Sequence, residues 1–265
     1  MSPQDLLAHA DAGTPWTARH DAPLFDDREA AYRAALAVRA QRIARGERPR
    51  GVKIGFTNRT IWQRYGVFAP IWGTVYDSTL GFCDGEGRVS LAHTCQPRIE
   101  PEVVFGLRQA PPRDADLQGL YDAIEWIATG FEVVQSHCPG WRFSAAETMA
   151  DGGLHARLLV GARQPLVAVA PDAQNLHARL AEATVSLHRG DEVVDRGRGA
   201  NVLDSPLAAL LHVVRELRDI AGAPELQGGD VITTGTWTDA WPVQPGQRWT
   251  ARFAAPLAPI TVTFE

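Results

Sequence analysis

Gln96-Pro97-Arg98-Ile99-Glu100-Pro101-Glu102-Val103-Val104-Phe105-Gly106-Leu107 reads as a β-strand carrying carboxylates at positions i and i+2. Side chains alternate along a strand, so Glu100 and Glu102 share one face while Val103 and Phe105 take the opposite, apolar face. Two carboxylates side by side repel unless a cation lies between them, and a hard divalent ion accepts such oxygens at roughly 2.0–2.2 Å while keeping several waters. A solvated outer strand face accommodates the same pair. A second apolar run, Ile127-Ala128-Thr129-Gly130-Phe131-Glu132-Val133-Val134-Gln135-Ser136, holds a single Glu in its interior. An unpaired charge there costs several kcal/mol or is neutralised by protonation, so Glu132 needs a basic partner or a metal. Three carboxylates drawn from two strands satisfy both stretches at once.

The surrounding chain sets the bounds. At 265 residues it is long enough for one large domain, or a small cap on a core, and its composition is that of an ordinary globular protein. The net charge of −5 supplies no basic field for nucleic acid, and no Lys/Arg run marks a membrane surface. Three cysteines, Cys83, Cys95 and Cys138, without a CxxC, suggest neither a disulfide framework nor a zinc site. The first residues lack a basic region followed by an apolar run, and no stretch of ~18 apolar residues occurs. A cytoplasmic protein is expected.

Taken in order, Ser2-Pro3-Gln4-Asp5 opens a short helix that Gly13 stops. A longer helix is predicted from Asp27 to about Ala44, with Tyr32, Leu36, Ala40 and Ile43 inward. Residues 1–50 thus read as a helical cap and 51–265 as a β-rich core within one structural domain. Lys53, in Val52-Lys53-Ile54-Gly55, fits a snorkelling surface lysine when read alone. Beside three carboxylates it fits equally a desolvated lysine that holds an anion or relays a proton. Val89 to His93 alternates as a strand, with His93 structural. Asp114 to Ala128 has the spacing of an amphipathic helix, its Glu125 facing solvent. His137 and Cys138 are adjacent and point apart in an extended chain, which argues against a nucleophilic dyad. Ser144-Ala145-Ala146-Glu147 is a capping box, and His155 reads as a satisfied structural histidine. A hairpin turns at Arg189-Gly190-Asp191, and Ser205-Pro206 caps a helix to about Ala221. In Gly228 to Trp237 a glycine turn and a strand lead into Thr234-Gly235-Thr236, where a glycine between two hydroxyl residues lets backbone N–H groups approach an anion. No phosphate-loop pattern accompanies it.

Glu-x-Glu within Pro97–Leu107, Glu132 in the next strand and the upstream Lys53-Ile54-Gly55, in that order, resemble the 2-keto-4-pentenoate hydratase group of the fumarylacetoacetate hydrolase superfamily. The likeness runs from about Gly51 to the C-terminus. It implies a fumarylacetoacetase C-terminal-like α+β fold, a twisted mixed β barrel or roll with peripheral helices. By resemblance, Glu100, Glu102 and Glu132 match the ligands of a divalent metal, Mg²⁺ or Mn²⁺, and Lys53 matches the active-site lysine. Asp77 follows an apolar strand as an acid near the substrate does in the group, although Asp77-Ser78 suits the start of a turn equally well. Thr234, Gly235 and Thr236 match the loop that contacts the substrate carboxylate. Thr148 to His155 is similar to a segment lining the site, which brings in Asp151; Glu147 and Gly152 depart from it, standing where the group has Asp and Asn.

The resemblance implies a metal-dependent lyase that adds water to a 2-hydroxydienoate or 2-oxoalkenoate through a stabilised enolate, assembled as a homo-oligomer. A 2-oxo-acid decarboxylase of the same group uses the same enolate chemistry. An acylpyruvate C–C hydrolase is a further branch, but its His-x-x-Glu pair is missing from Gly55 to Tyr65. A non-catalytic oxo-acid binder is the remaining alternative, against which Lys53 and the three carboxylates stand together.

Overall fold

The computed structural model describes residues 1–17, 23–25, 27–59, 62–65 and 68–265, the side chains of 64 and 65 excepted. Its centre is a pair of long strands, β5 (Arg98–Leu107) and β6 (Ile124–Val134), paired antiparallel over ten positions. They lie in a mixed sheet with β1 (Pro49–Gly55), β2 (Ile71–Tyr76), β3 (Leu80–Phe82), β7 (His155–Val160) and the strand Val231–Thr233. Along that sheet the order is β2, β1, Val231–Thr233, β5, β6, β7, β3. A second sheet joins the hairpin Thr184–Arg189 and Glu192–Arg198 to Arg248–Phe253, Ile260–Phe264 and β4 (Glu86–Val89). The expected α+β roll is therefore present as two open sheets, and no closed barrel forms among the described residues.

Strand parity sorts the large sheet into two faces. Ile99, Val103, Phe105, Phe131 and Val133 enter the main hydrophobic core with Leu187, Trp249 and Ile260 of the second sheet and Leu207 and Leu210 of the helix Pro206–Asp219. The opposite face carries Glu100, Glu102 and Glu132 and continues into a small apolar cluster of Val75, Val104, Ala128, Leu158, Val160 and Val231. Burying a Val or Leu stabilises by roughly 1.5–3 kcal/mol, so these two apolar faces hold β5 and β6 in the register on which the carboxylates depend.

The helical N-terminus forms as its caps predict. α1 (Pro3–Ala12) starts at a Ser2 capping box and ends at Gly13 in the left-handed conformation; α2 (Arg28–Ala44) is capped by Asp27. Its inward residues are Ala31 and Tyr32, the Tyr32 ring stacking on Trp72 at 5.0 Å, whereas Ala40 and Ile43 are exposed. Two other expectations give way. The helix foreseen over Asp114–Ala128 stops at Ala123, and the rest of that stretch is β6; Ile124, Trp126, Ile127 and Thr129 are β-branched or aromatic and gain a ladder with β5 that outweighs their helical spacing. The strand foreseen over Val89–His93 lies earlier, at Glu86–Val89, and His93 sits in an exposed turn at φ 60°.

Candidate active site

Register places the carboxylates. Glu100 of β5 lies directly opposite Glu132 of β6, and Glu102 lies opposite Gly130, so three carboxylates meet with only a hydrogen where a fourth side chain would stand. An oxygen from each of Glu100, Glu102 and Glu132 lies within 4.8 Å of the other two. Glu102 and Glu132 are fully buried and Glu100 is half-buried.

Each buried carboxylate is held from one side. Oε2 of Glu102 accepts from the backbone N–H groups of Thr234 (2.9 Å) and Gly235 (2.7 Å). Oε1 of Glu132 meets Nδ1 of His155 at 2.8 Å, and Nε2 of His155 meets Oγ1 of Thr79 at 2.8 Å. Oε2 of Glu132 forms an ion pair with Nζ of Lys53 at 3.3 Å, outside hydrogen-bond geometry. Among the described residues, Oε1 of Glu102 and Oε2 of Glu132 accept no hydrogen bond. Buried acceptors left this way are costly, and hard oxygen donors converging on one point fit a divalent cation.

The electrostatics carry the same imprint. Burial raises all three carboxyls, Glu100 and Glu132 to about 7 despite the opposing pull of Lys53, and Glu102 well above its usual range with Glu132 adding repulsion. For Lys53 burial works against the charge, but the summed field of Glu132, Glu100 and Glu102 outweighs it and holds the ammonium above the ordinary lysine range. Burial, reinforced by Lys53, keeps the His155 imidazole neutral. With Glu132 ionised, Nδ1–H therefore donates to Glu132 and Nε2 accepts from Thr79.

A cavity of about 610 Å³ opens over this cluster, lined among others by Lys53, Glu100, Gly235 and Thr236. Of the residues read from the sequence, Lys53, Glu100, Glu102 and Glu132 come together. The Thr234–Thr236 loop also arrives, but differently from expected. Thr234 is fully buried, its hydroxyl donating to the Val103 carbonyl, and its N–H is turned to Glu102; Gly235 and Thr236 alone reach the cavity wall. Asp77 is not brought in. It is exposed in the turn after β2, where Oδ1 accepts from the Arg48 N–H, while Lys53 pairs with Gly73 four residues back, ~13 Å along the strand. Asp151 also stays off the cavity wall, because its carboxylate is occupied by His137 through Nδ1 (2.5 Å) and the backbone N–H (2.9 Å). It borders instead a smaller space of about 60 Å³ against α1 and α2. Gly152, beside it, has φ +62° and nothing within 4 Å of an added Cβ, a left-handed position that Asn also tolerates.

The pairing of His155 with Glu132 is the contact at the cluster that reading the sequence missed. The one available signal was that a lone buried Glu with two oxygens calls for more than one partner. Gly235 is bound by space as well as by conformation: at φ +96° a Cβ would come within 2.0 Å of Oγ1 of Thr57. Gly235→Ala should push the loop off Glu102 and lower stability by about 1–3 kcal/mol, as overpacking does; an unchanged denaturation midpoint would show that the loop yields freely.

Comparison with known proteins places this geometry. Over 256 residues the chain is 30% identical to 2-keto-4-pentenoate hydratase 2 of Dechloromonas aromatica strain RCB, covering 94% of this chain and 92% of that protein. The chain belongs to the 2-keto-4-pentenoate hydratase family. A 4-oxalocrotonate decarboxylase from a Pseudomonas species is also 30% identical, over 91% of this chain and 88% of that protein. The 4-oxalocrotonate decarboxylase of Pseudomonas putida G7, solved with magnesium and adipate, superposes with a TM-score of 0.84 at 25% identity, over 100% of this chain and 99% of that one. Fumarylpyruvate hydrolase of Pseudomonas aeruginosa, solved with Mn²⁺ and pyruvate, has a TM-score of 0.56 at 14% identity over 81% of this chain and 88% of that one, which shows the shared fold alone. No family model matches the chain.

Proposed function

We propose that the protein is a divalent-metal-dependent lyase that adds water to a 2-hydroxydienoic acid, with Glu100, Glu102 and Glu132 as the metal ligands and Lys53 as the proton-handling group. The observation that carries this reading is the convergence of three carboxylates and one buried lysine beneath a cavity large enough for a small oxo acid. When bound, Mg²⁺ or Mn²⁺ would supply a fixed positive charge against which the enolate of a 2-oxo acid is stabilised.

The chain's own groups do the rest. With no cation bound the carboxylates hold Lys53 charged; a divalent cation among them would oppose that field and ease the loss of the proton, which suits Nζ to exchange a proton with the dienol carbon skeleton or to steady an incoming water. Gly235 and Thr236 border the space where a substrate carboxylate would lie. Hydratases and a decarboxylase both stand among the relatives, so the test is the product. Incubation of 2-hydroxyhexa-2,4-dienoate with the Mg²⁺- or Mn²⁺-loaded protein should bleach the dienol absorbance and yield the hydrated oxo acid, with chelator abolishing the reaction. Loss of CO₂ from 4-oxalocrotonate without hydration would assign the decarboxylase instead, and turnover of neither would refute the lyase.

His155 enters this reading through Glu132, whose Oε1 it fixes so that Oε2 faces the cluster. His155→Leu removes the partner of Glu132 Oε1, whereas Thr79 keeps its bonds to the Tyr76 backbone, and loss of a hydrogen-bonded neighbour of a metal ligand typically costs about 10–100-fold in metal affinity. Mn²⁺ titration should show that loss; unchanged Mn²⁺ affinity would make the contact purely structural.

A further inference from the structure

Buried polar atoms without a partner gather at a second place in the fold. Among the described residues, Nε1 of Trp16, Nε1 of Trp72, Nε of Arg39 and Nε2 of His137 are buried and make no hydrogen bond. All four residues line the space of about 60 Å³ between the helical cap and the sheet. The rings are fixed where they stand, Trp72 stacked on Tyr32 at 5.0 Å and Trp16 on His137 at 6.0 Å. The other nitrogen-bearing and acidic side chains on this wall already have partners. Gln135 accepts from the Cys95 N–H and donates to the His155 carbonyl, and the His155 ring is held by Glu132 and Thr79. Arg42 pairs with Glu47, and the Asp151 carboxylate is turned to His137. Three of the four unpaired groups, two indoles and a guanidinium, can only donate. His137 meets Asp151 through Nδ1, so its Nε2 accepts in the neutral ring and donates once the ring takes a second proton. Buried donors left this way are costly, and the set calls for an occupant.

We propose that this space holds one small monovalent anion of halide size, gripped by the N–H groups of Trp16, Trp72 and Arg39 and by Nε2 of His137, and that the ion ties the helical cap to the sheet. Water is the alternative occupant, at roughly 30 Å³ per molecule. The donor set favours the anion. Each water brings two O–H groups of its own, for which the unpaired set offers a single acceptor, whereas an anion accepts from all four nitrogens. Charge runs the same way: Arg39 adds a positive charge, while the Asp151 carboxylate on the same wall is closed by two bonds from His137. The four contacts come from separate pieces of chain, with Trp16 after α1, Arg39 on α2, Trp72 on β2 and His137 after β6. An ion there joins both cap helices to the strand next to that of Lys53, whose neighbour Ile54 pairs with Trp72. The site is independent of the function proposed above.

Chloride exchanged for gluconate at constant ionic strength isolates the effect, because gluconate is too large for the space. The thermal midpoint of the full chain should rise with chloride, and with bromide, in Mg²⁺-loaded protein and in chelator alike, since an ion bound only by the folded state stabilises it by mass action. Trp72→Phe keeps a ring against Tyr32 and removes one N–H. It should weaken chloride at least about tenfold, the scale of a hydrogen bond to a charged group, and move the onset of the rise to correspondingly higher chloride. Arg39→Met, at a half-buried position, is the second variant if Trp72→Phe fails to fold. Crystals grown in bromide should show an anomalous peak within reach of the Trp16 and Trp72 indoles. A midpoint that follows ionic strength alone, a chloride response unchanged in both variants, or a response present only with Mg²⁺ overturns the anion site. Density in the space without a bromide signal is water and overturns it as well.

Discussion

Replacement of Lys53 by Met should lower kcat by about 10²–10⁴-fold while changing KM far less, the range for a group that moves a proton in the transition state. Lys53 is 2% exposed and its ammonium lies in the field of three carboxylates, so methionine, of similar length, preserves packing and deletes charge alone. Its loss also alters stability in a pH-dependent way. Lys53 opposes the burial that raises Glu100, Glu102 and Glu132; without it their protonation extends to higher pH. A carboxyl whose folded value is raised favours the folded state below its unfolded value near 4.5 and loses that contribution as pH rises through the folded value. The variant should therefore be little destabilised near pH 5.5 and progressively more so toward pH 8, measured as the thermal midpoint in chelator. Near-normal kcat on a dienoate substrate would leave Lys53 a structural counter-charge and return the chemistry to the metal alone.

What could be read in the chain before folding follows from the range of the forces involved. Strand parity is local, so the shared face of Glu100 and Glu102 was legible from their two-residue spacing, and caps at Ser2, Asp27, Ser144 and Ser205 fixed helix starts from three or four residues each. The register that sets Glu132 opposite Glu100 was not legible. It requires β6 to begin at Ile124, whereas Leu117, Leu120, Tyr121, Ile124 and Ile127 repeat at helical spacing, and only the partner strand decides between the two. Long-range pairings were likewise out of reach: His155 reaches Glu132 across the β6–β7 pair, and His137, 14 residues away in sequence, occupies the carboxylate of Asp151. Asp77 was singled out by likeness to a segment, and an acid immediately after a strand is as well suited to closing a turn, which is its place in the structure. The Thr-Gly-Thr loop was recognised as an anion-binding geometry; the anion it holds through two N–H groups is the carboxylate of Glu102.

That last contact decides the outcome expected for Glu102→Gln. The amide oxygen of Gln can still accept from Thr234 and Gly235, so the loop stays in place, while the NH₂ takes the position of Oε1, the oxygen that accepts no hydrogen bond among the described residues. A donor then faces the point where the other carboxylates converge. Since losing a neighbour of a ligand costs about 10–100-fold in metal affinity, losing the ligand itself should cost on the order of 100-fold or more for Mn²⁺. In chelator the variant should be at least as stable as wild type near pH 8, because one of three crowded negative charges is gone. The pH dependence gives an independent check. Glu100 and Glu132 are raised to about 7 and burial pushes Glu102 well above its usual range, so an incoming cation displaces protons, and the Mn²⁺-induced rise in the wild-type thermal midpoint should grow between pH 6 and pH 8. In Glu102→Gln that growth should be smaller, since one proton-releasing group is missing. Wild-type Mn²⁺ affinity in the variant would exclude Glu102 as a ligand, leaving it as the anchor of the Thr234–Thr236 loop and shifting the metal to Glu100 and Glu132.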